Sequence, residues 1–148
     1  MATIHNEIII EAPADKIWSV LATPDLLERY DPTVRKSSLI SDIKTDHGAK
    51  RKVEMQDGKN WFEEVITVCK AGESLTYELT ACSFPVNKLK HSYSFQKLDG
   101  QTKVLQVMEY TVKFGILGKI MDQLIIRKQS DTGIKKFLAG LKSYIEKQ

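Results

Sequence analysis

The chain has no hydrophobic run that approaches the ~20 residues a helix needs to cross a bilayer. Residues 1–7 lack the basic segment and apolar stretch of a secretory signal. There are only two cysteines, Cys69 and Cys82, and their spacing fits no metal site, although both fall on outward strand positions where a disulfide is geometrically possible. We therefore expect a cytoplasmic protein with two free thiols that does not insert into a membrane.

The motifs of several catalytic mechanisms are also missing. The sequence contains no Gly-rich phosphate loop, no Gly-x-Ser-x-Gly elbow, no Cys-x-x-Cys pair and no His-Glu-x-x-His segment. Nucleophilic, metal-dependent and nucleotide-driven mechanisms are therefore poorly supported. We expect no metal and no cofactor.

Charge is nearly balanced, with 22 basic and 19 acidic residues among 148 and a net charge of +3. The lysines are scattered, and several fall on the outward positions of predicted strands, as Lys50, Lys52, Lys88 and Lys90 do. Nucleic acid usually meets a concentrated basic face with stacking aromatics, so we expect no nucleic-acid partner. Without repeats, linkers or shifts in composition, residues 1–148 predict a single domain.

The order of elements predicts an α+β fold. A β-branched run over residues 5–12 predicts a first strand, and Pro13 opens a short helix. A Thr23 cap with Pro24 at the first helical position predicts a second helix up to Tyr30. Residues 34–43 predict a less regular strand. An antiparallel meander with an Asp57-Gly58 hairpin follows, and the chain closes with a long helix over residues 116–146.

The apolar face of the meander repeatedly contains polar side chains, at alternate positions that share one sheet face. Buried polar groups are costly unless paired, so this mixture indicates a mostly apolar cavity with a few polar groups inside. From this pattern and the helix stripe, the predicted ligand-binding residues are Arg51, Val53, Phe62, Glu64, Tyr77, Leu79, His91, Tyr93, Gln106, Met108, Tyr110, Met121 and Leu124.

Two interpretations remain open for each chemically distinctive group in this set. Arg51 and Glu64 should lie opposite each other across the Asp57-Gly58 hairpin, either as a cross-strand ion pair or with Arg51 binding a ligand oxygen and Glu64 orienting it. His91 is either a general acid or base or a hydrogen-bonded core residue. Arg51, Glu64 and His91 are the candidate catalytic residues.

The middle of the C-terminal helix also allows two readings. Its apolar stripe is interrupted by Arg127, Lys128 and Asp131. Either the middle of the helix covers a cavity rather than a packed core, or the helix breaks near Thr132-Gly133.

Several segments resemble START-like helix-grip proteins. They are Ile-Ile-Ile-Glu-Ala-Pro-Ala-Asp-Lys-Ile-Trp-Ser-Val-Leu-Ala at residues 8–22, Gly48-Ala49-Lys50-Arg51, Asp57-Gly58 followed by Glu64, Leu75-Thr76-Tyr77, and Leu138-Ala139-Gly140-Leu141-Lys142. Their order is most similar to the polyketide cyclase/dehydrase and lipid-transport branch, including MxaD-like bacterial proteins. The resemblance implies a curved antiparallel sheet that grips the C-terminal helix around a deep apolar cavity, with the Phe84-Pro85-Val86 loop near its mouth.

The resemblance does not extend to two better-defined groups of this superfamily. The chain lacks the Ser-Gly-Leu-Pro gate and His-Arg-Leu latch of plant hormone receptors and the Cys and His spacing of an iron–sulfur oxygenase.

The sequence leaves three functions open. The first is a carrier or sensor that binds a small hydrophobic or aromatic molecule. The second is a polyketide cyclase or dehydratase in which His91 or Glu64 moves protons and Arg51 polarises a carbonyl. The third is a protein-interaction module with a packed interior. A homodimer is compatible with the sequence.

Overall fold

The computed structural model describes residues 2–113, 115–121 and 125–148. Its strands are β1 (Ala2–Ile10), β2 (Val34–Leu39), β3 (Lys50–Met55), β4 (Trp61–Lys70), β5 (Ser74–Cys82), β6 (Val86–Leu98) and β7 (Gln101–Val112). Its helices are α1 (Ala14–Leu21), a 3-10 turn (Pro24–Leu26), α2 (Leu27–Tyr30), α3 (Gly115–Met121) and α4 (Arg127–Glu146).

The strands form one curved antiparallel sheet in the order β1-β7-β6-β5-β4-β3-β2. Consecutive strands from β2 to β7 are neighbours, and β1 closes the far edge by pairing with β7. The buried positions of this sheet join those of α4 in one core, which includes Val53, Ile66, Leu75, Val104, Ile134, Phe137, Leu138 and Leu141. The predicted helix-grip α+β fold is confirmed.

Two strand boundaries differ from the prediction. β1 covers Ala2–Ile10 rather than residues 5–12. β2 ends at Leu39 rather than residue 43, because the following loop turns through Asp46 and Gly48, which both have positive φ. Ile40 and Ile43 are exposed in this loop, so their β-branched side chains indicated a strand that the chain does not continue.

The alternation in β4 also changes phase. The pairing of β4 with β5 shifts between Ile66 and Val68, so Val68 is 39% exposed while Cys69 packs against the core. A bulge of this kind moves every later side chain to the opposite face. The prediction that Cys69 lies on an outward strand position was therefore wrong. Cys69 and Cys82 are both free and partly buried.

The start of the second helix is not capped as predicted. Pro24 does occupy its first turn, but the Thr23 hydroxyl donates to the Ser19 carbonyl at 2.8 Å and makes no cap. A threonine hydroxyl can bond to the carbonyl four residues earlier, and here the preceding helix α1 supplies that acceptor.

Helix α4 is continuous through Thr132 and Gly133, so of the two alternatives left open by the sequence, the break near these residues does not occur. A glycine inside a helix costs about 1 kcal/mol relative to alanine, whereas each large apolar side chain that α4 buries contributes about 1.5–3 kcal/mol. The buried anchors that follow Gly133 outweigh its cost; they are Ile134, Phe137, Leu138, Leu141 and Ile145.

Gly140 sets how closely α4 approaches the rest of the molecule. A Cβ at this position would lie 1.9 Å from the backbone carbonyl oxygen of Tyr30, a contact that no side chain can make. At the other glycine within α4, Gly133, a Cβ would meet no atom within 4 Å. The two positions therefore offer a matched pair for testing helix docking.

We expect Gly140→Ala to lower the free energy of unfolding by about 1–3 kcal/mol, because the helix must shift away from α2. Gly133→Ala should instead raise it by about 0.5–1 kcal/mol, because alanine favours the helix. Urea denaturation of both variants measures the difference. Equal effects of the two substitutions would contradict the close approach of α4 to Tyr30.

Candidate functional site

A cavity of about 360 Å³ lies between the sheet and the first half of α4. This volume is at the lower end of the range for small-molecule sites. Most of its wall is apolar or aromatic, from Leu27, Val34, Met55, Phe62, Leu79, Phe84, Val86, Leu89, Tyr93, Met108, Ile126, Ile134 and Phe137. Phe62 and Phe84 pack edge to face at one side, with ring centroids 6.0 Å apart.

The structure brings most of the predicted binding residues to this wall. Those that line the cavity are Arg51, Phe62, Glu64, Leu79, His91, Tyr93, Gln106 and Met108. Val53, Tyr77 and Tyr110 are buried in the core and are not among the described residues that line it. The Met121 side chain and Leu124 lie outside what the structure describes.

The alternation along the strands did not predict several other residues of the cavity wall. Asp31 and Thr33 come from the turn before β2, and Gln129, Ser130 and Gly133 come from α4. The sequence did contain a signal for the helix residues, because small and polar side chains replace large apolar ones on the inward face of the C-terminal helix. The sequence contained no such signal for the two turn residues, because a turn has no periodic pattern that shows which way its side chains point.

The α4 residues also decide between the two readings of the helix middle. Gln129, Ser130 and Gly133 line the cavity, whereas Arg127 and Lys128 are not among the described residues that line it. The first half of α4 therefore covers a cavity. Pro85 and Phe84 line the cavity too, which places the β5–β6 loop at its wall; that this loop forms the mouth stays a prediction.

Arg51 and Glu64 form a buried ion pair across β3 and β4, in the register that the hairpin predicted. Their side chains are 5% and 2% exposed, and Arg51 Nε donates to Glu64 Oε2 at 2.7 Å. Arg51 Nη1 also donates to the Pro24 carbonyl at 3.1 Å. Of the two interpretations left open for these residues, the cross-strand ion pair is present, and it ties the sheet to the 3-10 turn.

Tyr77 supports this pair from the core side. Its ring centroid lies 4.0 Å from Arg51 Cζ, and its hydroxyl donates to the Leu21 carbonyl at 2.8 Å. Burial raises the pKa of Tyr77 to about 12, although the Arg51 charge opposes the shift. Tyr77 is therefore a neutral packing residue beneath the guanidinium.

His91 and Gln106 form the second polar contact of the wall. Gln106 Nε2 and His91 Nδ1 are 2.8 Å apart, and Gln106 is almost completely buried. Burial lowers the pKa of His91, with a smaller opposing effect of Glu64 and a lowering effect of Arg51. His91 is therefore neutral at pH 7, and its Nδ1 accepts a hydrogen bond from the Gln106 amide.

This shift gives stability a specific pH dependence. Because the pKa of His91 is lower in the folded protein than its ordinary value of about 6.5, the unfolded chain binds the proton more readily. We expect the free energy of unfolding to fall as the pH is lowered from about 7 to about 5. Denaturant titrations across this range measure the slope.

The variant His91→Gln should flatten that slope, while His47→Gln, in an exposed turn, should leave it unchanged. A slope that persists in His91→Gln would show that the loss of stability comes from another group.

Asp31 is the remaining buried acid of the wall. Its Oδ1 accepts hydrogen bonds from the Thr33 backbone N–H at 2.9 Å and from the Thr33 hydroxyl at 2.7 Å. Burial raises the pKa of Asp31, and these two hydrogen bonds oppose the rise. Asp31 therefore closes its own turn.

Metal and membrane features can be judged for the described ranges only. Within residues 2–113, 115–121 and 125–148, no three His, Cys, Asp or Glu side chains group so that they could hold a metal ion. No helix in these ranges combines the length and the hydrophobicity needed to cross a membrane.

A curved antiparallel sheet that grips a C-terminal helix around a cavity defines a START-like helix-grip protein. Residues 1–146 match the family described as polyketide cyclase/dehydrase and lipid transport, and the chain belongs to that family. No curated protein matches the chain in sequence. The narrower likeness to MxaD-like proteins stays a prediction.

Solved structures agree with this fold. A START superfamily protein from Mycobacterium smegmatis is 14% identical with a TM-score of 0.75, covering 97% of this chain and 98% of its own. Ginseng major latex-like protein 151 from Panax ginseng is 15% identical with a TM-score of 0.72, covering 98% and 95%.

The di-domain ARO/CYC BexL of the BE-7585A biosynthetic pathway is also similar. It is 15% identical with a TM-score of 0.79, and the match covers 99% of this chain but 47% of BexL. Because the sequence identities are only 14–15%, these structural similarities show a shared fold and nothing more.

Proposed function

We propose that this protein binds a small hydrophobic or aromatic molecule in the cavity between its sheet and α4, as a carrier or sensor. The observation that carries the proposal is the cavity itself, an apolar volume of about 360 Å³ with a few polar groups grouped on its wall. Protein interiors are normally packed without voids much larger than a water molecule. A volume of this size and composition is typical of a ligand site.

The wall supports binding by exclusion of water. Aromatic and aliphatic side chains on both the sheet and the helix would remove apolar ligand surface from water, which contributes about 25 cal/mol per Å² before the costs of association. The polar groups would then fix the orientation of the ligand rather than supply most of its affinity.

A direct experiment is native mass spectrometry of freshly purified protein, followed by extraction of any retained molecule. A fluorescence titration with 1-aminoanthracene, a small neutral aromatic probe, complements it. We expect one probe molecule per chain and an enhanced, blue-shifted emission. A folded protein that retains nothing and leaves the probe emission unchanged would contradict the proposal.

Catalysis is the second candidate, and the neutral His91 on the cavity wall favours it. In a cyclase or dehydratase, this imidazole would move a proton between substrate atoms while Arg51 and Glu64 hold their positions. His91→Gln distinguishes the two functions. It should abolish turnover of a polyketide-like substrate with little change in affinity if the protein is an enzyme.

The cavity argues against the third alternative, an interaction module with a packed interior. Such a module would need its inward-facing side chains to fill the space beneath α4. Gln129, Ser130 and Gly133 are too small or too polar to do so.

A further inference from the structure

An open groove adjoins the cavity along the first half of α4. Four residues line both spaces, so the groove leads into the cavity; they are Thr33, Met55, Gln129 and Gly133. The other described residues that line the groove are Ile125, Lys128, Thr132 and Lys136. A molecule in the cavity therefore has a path by which one of its ends extends into the groove.

The groove differs from the cavity in its charge. Among the described residues that line it, the ionisable side chains are those of Lys128 and Lys136, and both are exposed. Thr132 lies midway between them, and residues spaced by four share one face of a helix. The two lysines are about 12 Å apart along the helix axis. Because the lysine side chain is long and flexible, both ammonium groups can approach one ligand group placed beside Thr132.

Neither lysine has an anionic partner. No ion pair within the described ranges includes Lys128 or Lys136. The neighbouring Lys135 is instead paired, with its Nζ 2.7 Å from Asp131 Oδ2. Two uncompensated positive charges next to an apolar cavity attract an anion, because the low-dielectric wall strengthens their field.

The acids of the cavity wall already have partners within the protein. Glu64 belongs to the buried ion pair, and Asp31 closes its own turn. Asp57 Oδ1 accepts hydrogen bonds from the backbone N–H groups of Lys59 and Asn60, both at 2.8 Å. The two lysines of the groove are therefore the charged groups along this path that lack a partner among the described residues.

We propose that the ligand is an amphiphile with an anionic headgroup, such as a carboxylate or a phosphate. Its apolar body fills the cavity, and its headgroup lies in the groove beside Lys128, Thr132 and Lys136. The Thr132 hydroxyl donates a further hydrogen bond to the headgroup. This inference rests on the proposed function, since it names the class of molecule that occupies the same cavity and the direction in which that molecule lies.

A series of amphiphiles tests the proposal in the wild-type protein. The probes are decanoate, 1-decanol and decyltrimethylammonium, which share a ten-carbon chain of the same kind and carry a negative, neutral and positive headgroup. Each is titrated below its micelle concentration as a competitor of bound 1-aminoanthracene at pH 7. We expect decanoate to bind at least about tenfold more tightly than decyltrimethylammonium, because the groove attracts one headgroup and repels the other. Added salt should weaken the binding of decanoate and leave that of 1-decanol unchanged.

Lys136→Met and Lys135→Met form a matched pair of variants. Each removes one positive charge from adjacent positions of α4, and of the two residues Lys136 lines the groove. We expect Lys136→Met to weaken the binding of decanoate about threefold. The double variant Lys128→Met with Lys136→Met should lose the preference for decanoate over decyltrimethylammonium, whereas Lys135→Met should keep it. Exposed substitutions of this kind have little effect on folding, which circular dichroism checks.

Equal binding of decanoate and decyltrimethylammonium, or tighter binding of the latter, would overturn this inference. Equal losses of decanoate affinity in Lys135→Met and Lys136→Met would also overturn it, because the headgroup would then respond to the general charge of α4 rather than to the groove. In each of these cases the binding of 1-aminoanthracene and 1-decanol would still support the proposed function. Failure of 1-aminoanthracene and of all three amphiphiles to bind would overturn both.

Discussion

Arg51→Ala is expected to lower the free energy of unfolding by about 3–5 kcal/mol, because it leaves the Glu64 carboxylate buried without a counter-charge. The wild-type pair is almost inaccessible to water, and Arg51 also holds the Pro24 carbonyl. The Tyr77 ring would lose its cationic neighbour as well. Urea denaturation with circular dichroism measures the loss.

The double variant Arg51→Met with Glu64→Leu is the matched control for this experiment. Replacing both partners by apolar side chains of similar size removes the unpaired charge, so most of the lost stability should return. The two single substitutions should therefore be strongly non-additive.

A different outcome would change the role of Arg51. If Arg51→Ala unfolds at nearly the wild-type urea concentration but loses affinity for 1-aminoanthracene, the guanidinium serves the ligand rather than the fold. The interpretation of Arg51 as mainly a structural cross-strand partner would then be wrong.

Gly133→Phe is expected to weaken ligand binding strongly without weakening the fold. Gly133 lines the cavity, and a Cβ there would meet open space. A phenylalanine ring should fill much of the volume that a ligand would use, so affinity for 1-aminoanthracene should fall at least about tenfold, or about 1.4 kcal/mol. Replacing a helical glycine should at the same time stabilise α4.

Gly133→Ala separates the two effects, because it removes the glycine but adds only a methyl group. It should bind the probe much as the wild-type protein does. Full probe affinity in Gly133→Phe would show that the probe binds elsewhere, and the proposed function would lose its support from the cavity.

The sequence predicted the sheet well because its signal is local. The alternation from β3 to β7 follows from the pleat of a strand, and the Asp57-Gly58 turn fixes the register that places Arg51 opposite Glu64. Gly58 has φ +72°, a conformation that glycine adopts without strain. These two signals were sufficient to predict that Arg51 lies opposite Glu64, but they left open whether the two side chains pair or bind a ligand.

The sequence failed where a local pattern depends on a distant partner. The bulge after Ile66 exposed Val68, and nothing in the neighbouring residues indicates it. Likewise, Tyr77 and Tyr110 share the inward parity of the polar residues on the cavity wall, but both are buried in the core. Alternate positions along a strand show which face of the sheet a side chain lies on. The distance of that position from the helix decides whether the side chain packs in the core or lines the cavity.

The sequence alone determined the class of fold, the inward set of polar side chains and the register that sets Arg51 opposite Glu64, since these depend on spacing along the chain. Only the tertiary structure decided that the space beneath α4 is left unfilled and that side chains from the sheet, the turn before β2 and α4 meet around it. The reason is geometric. A cavity forms where the side chains on its opposite walls do not come into contact, and those side chains belong to segments far apart in the sequence.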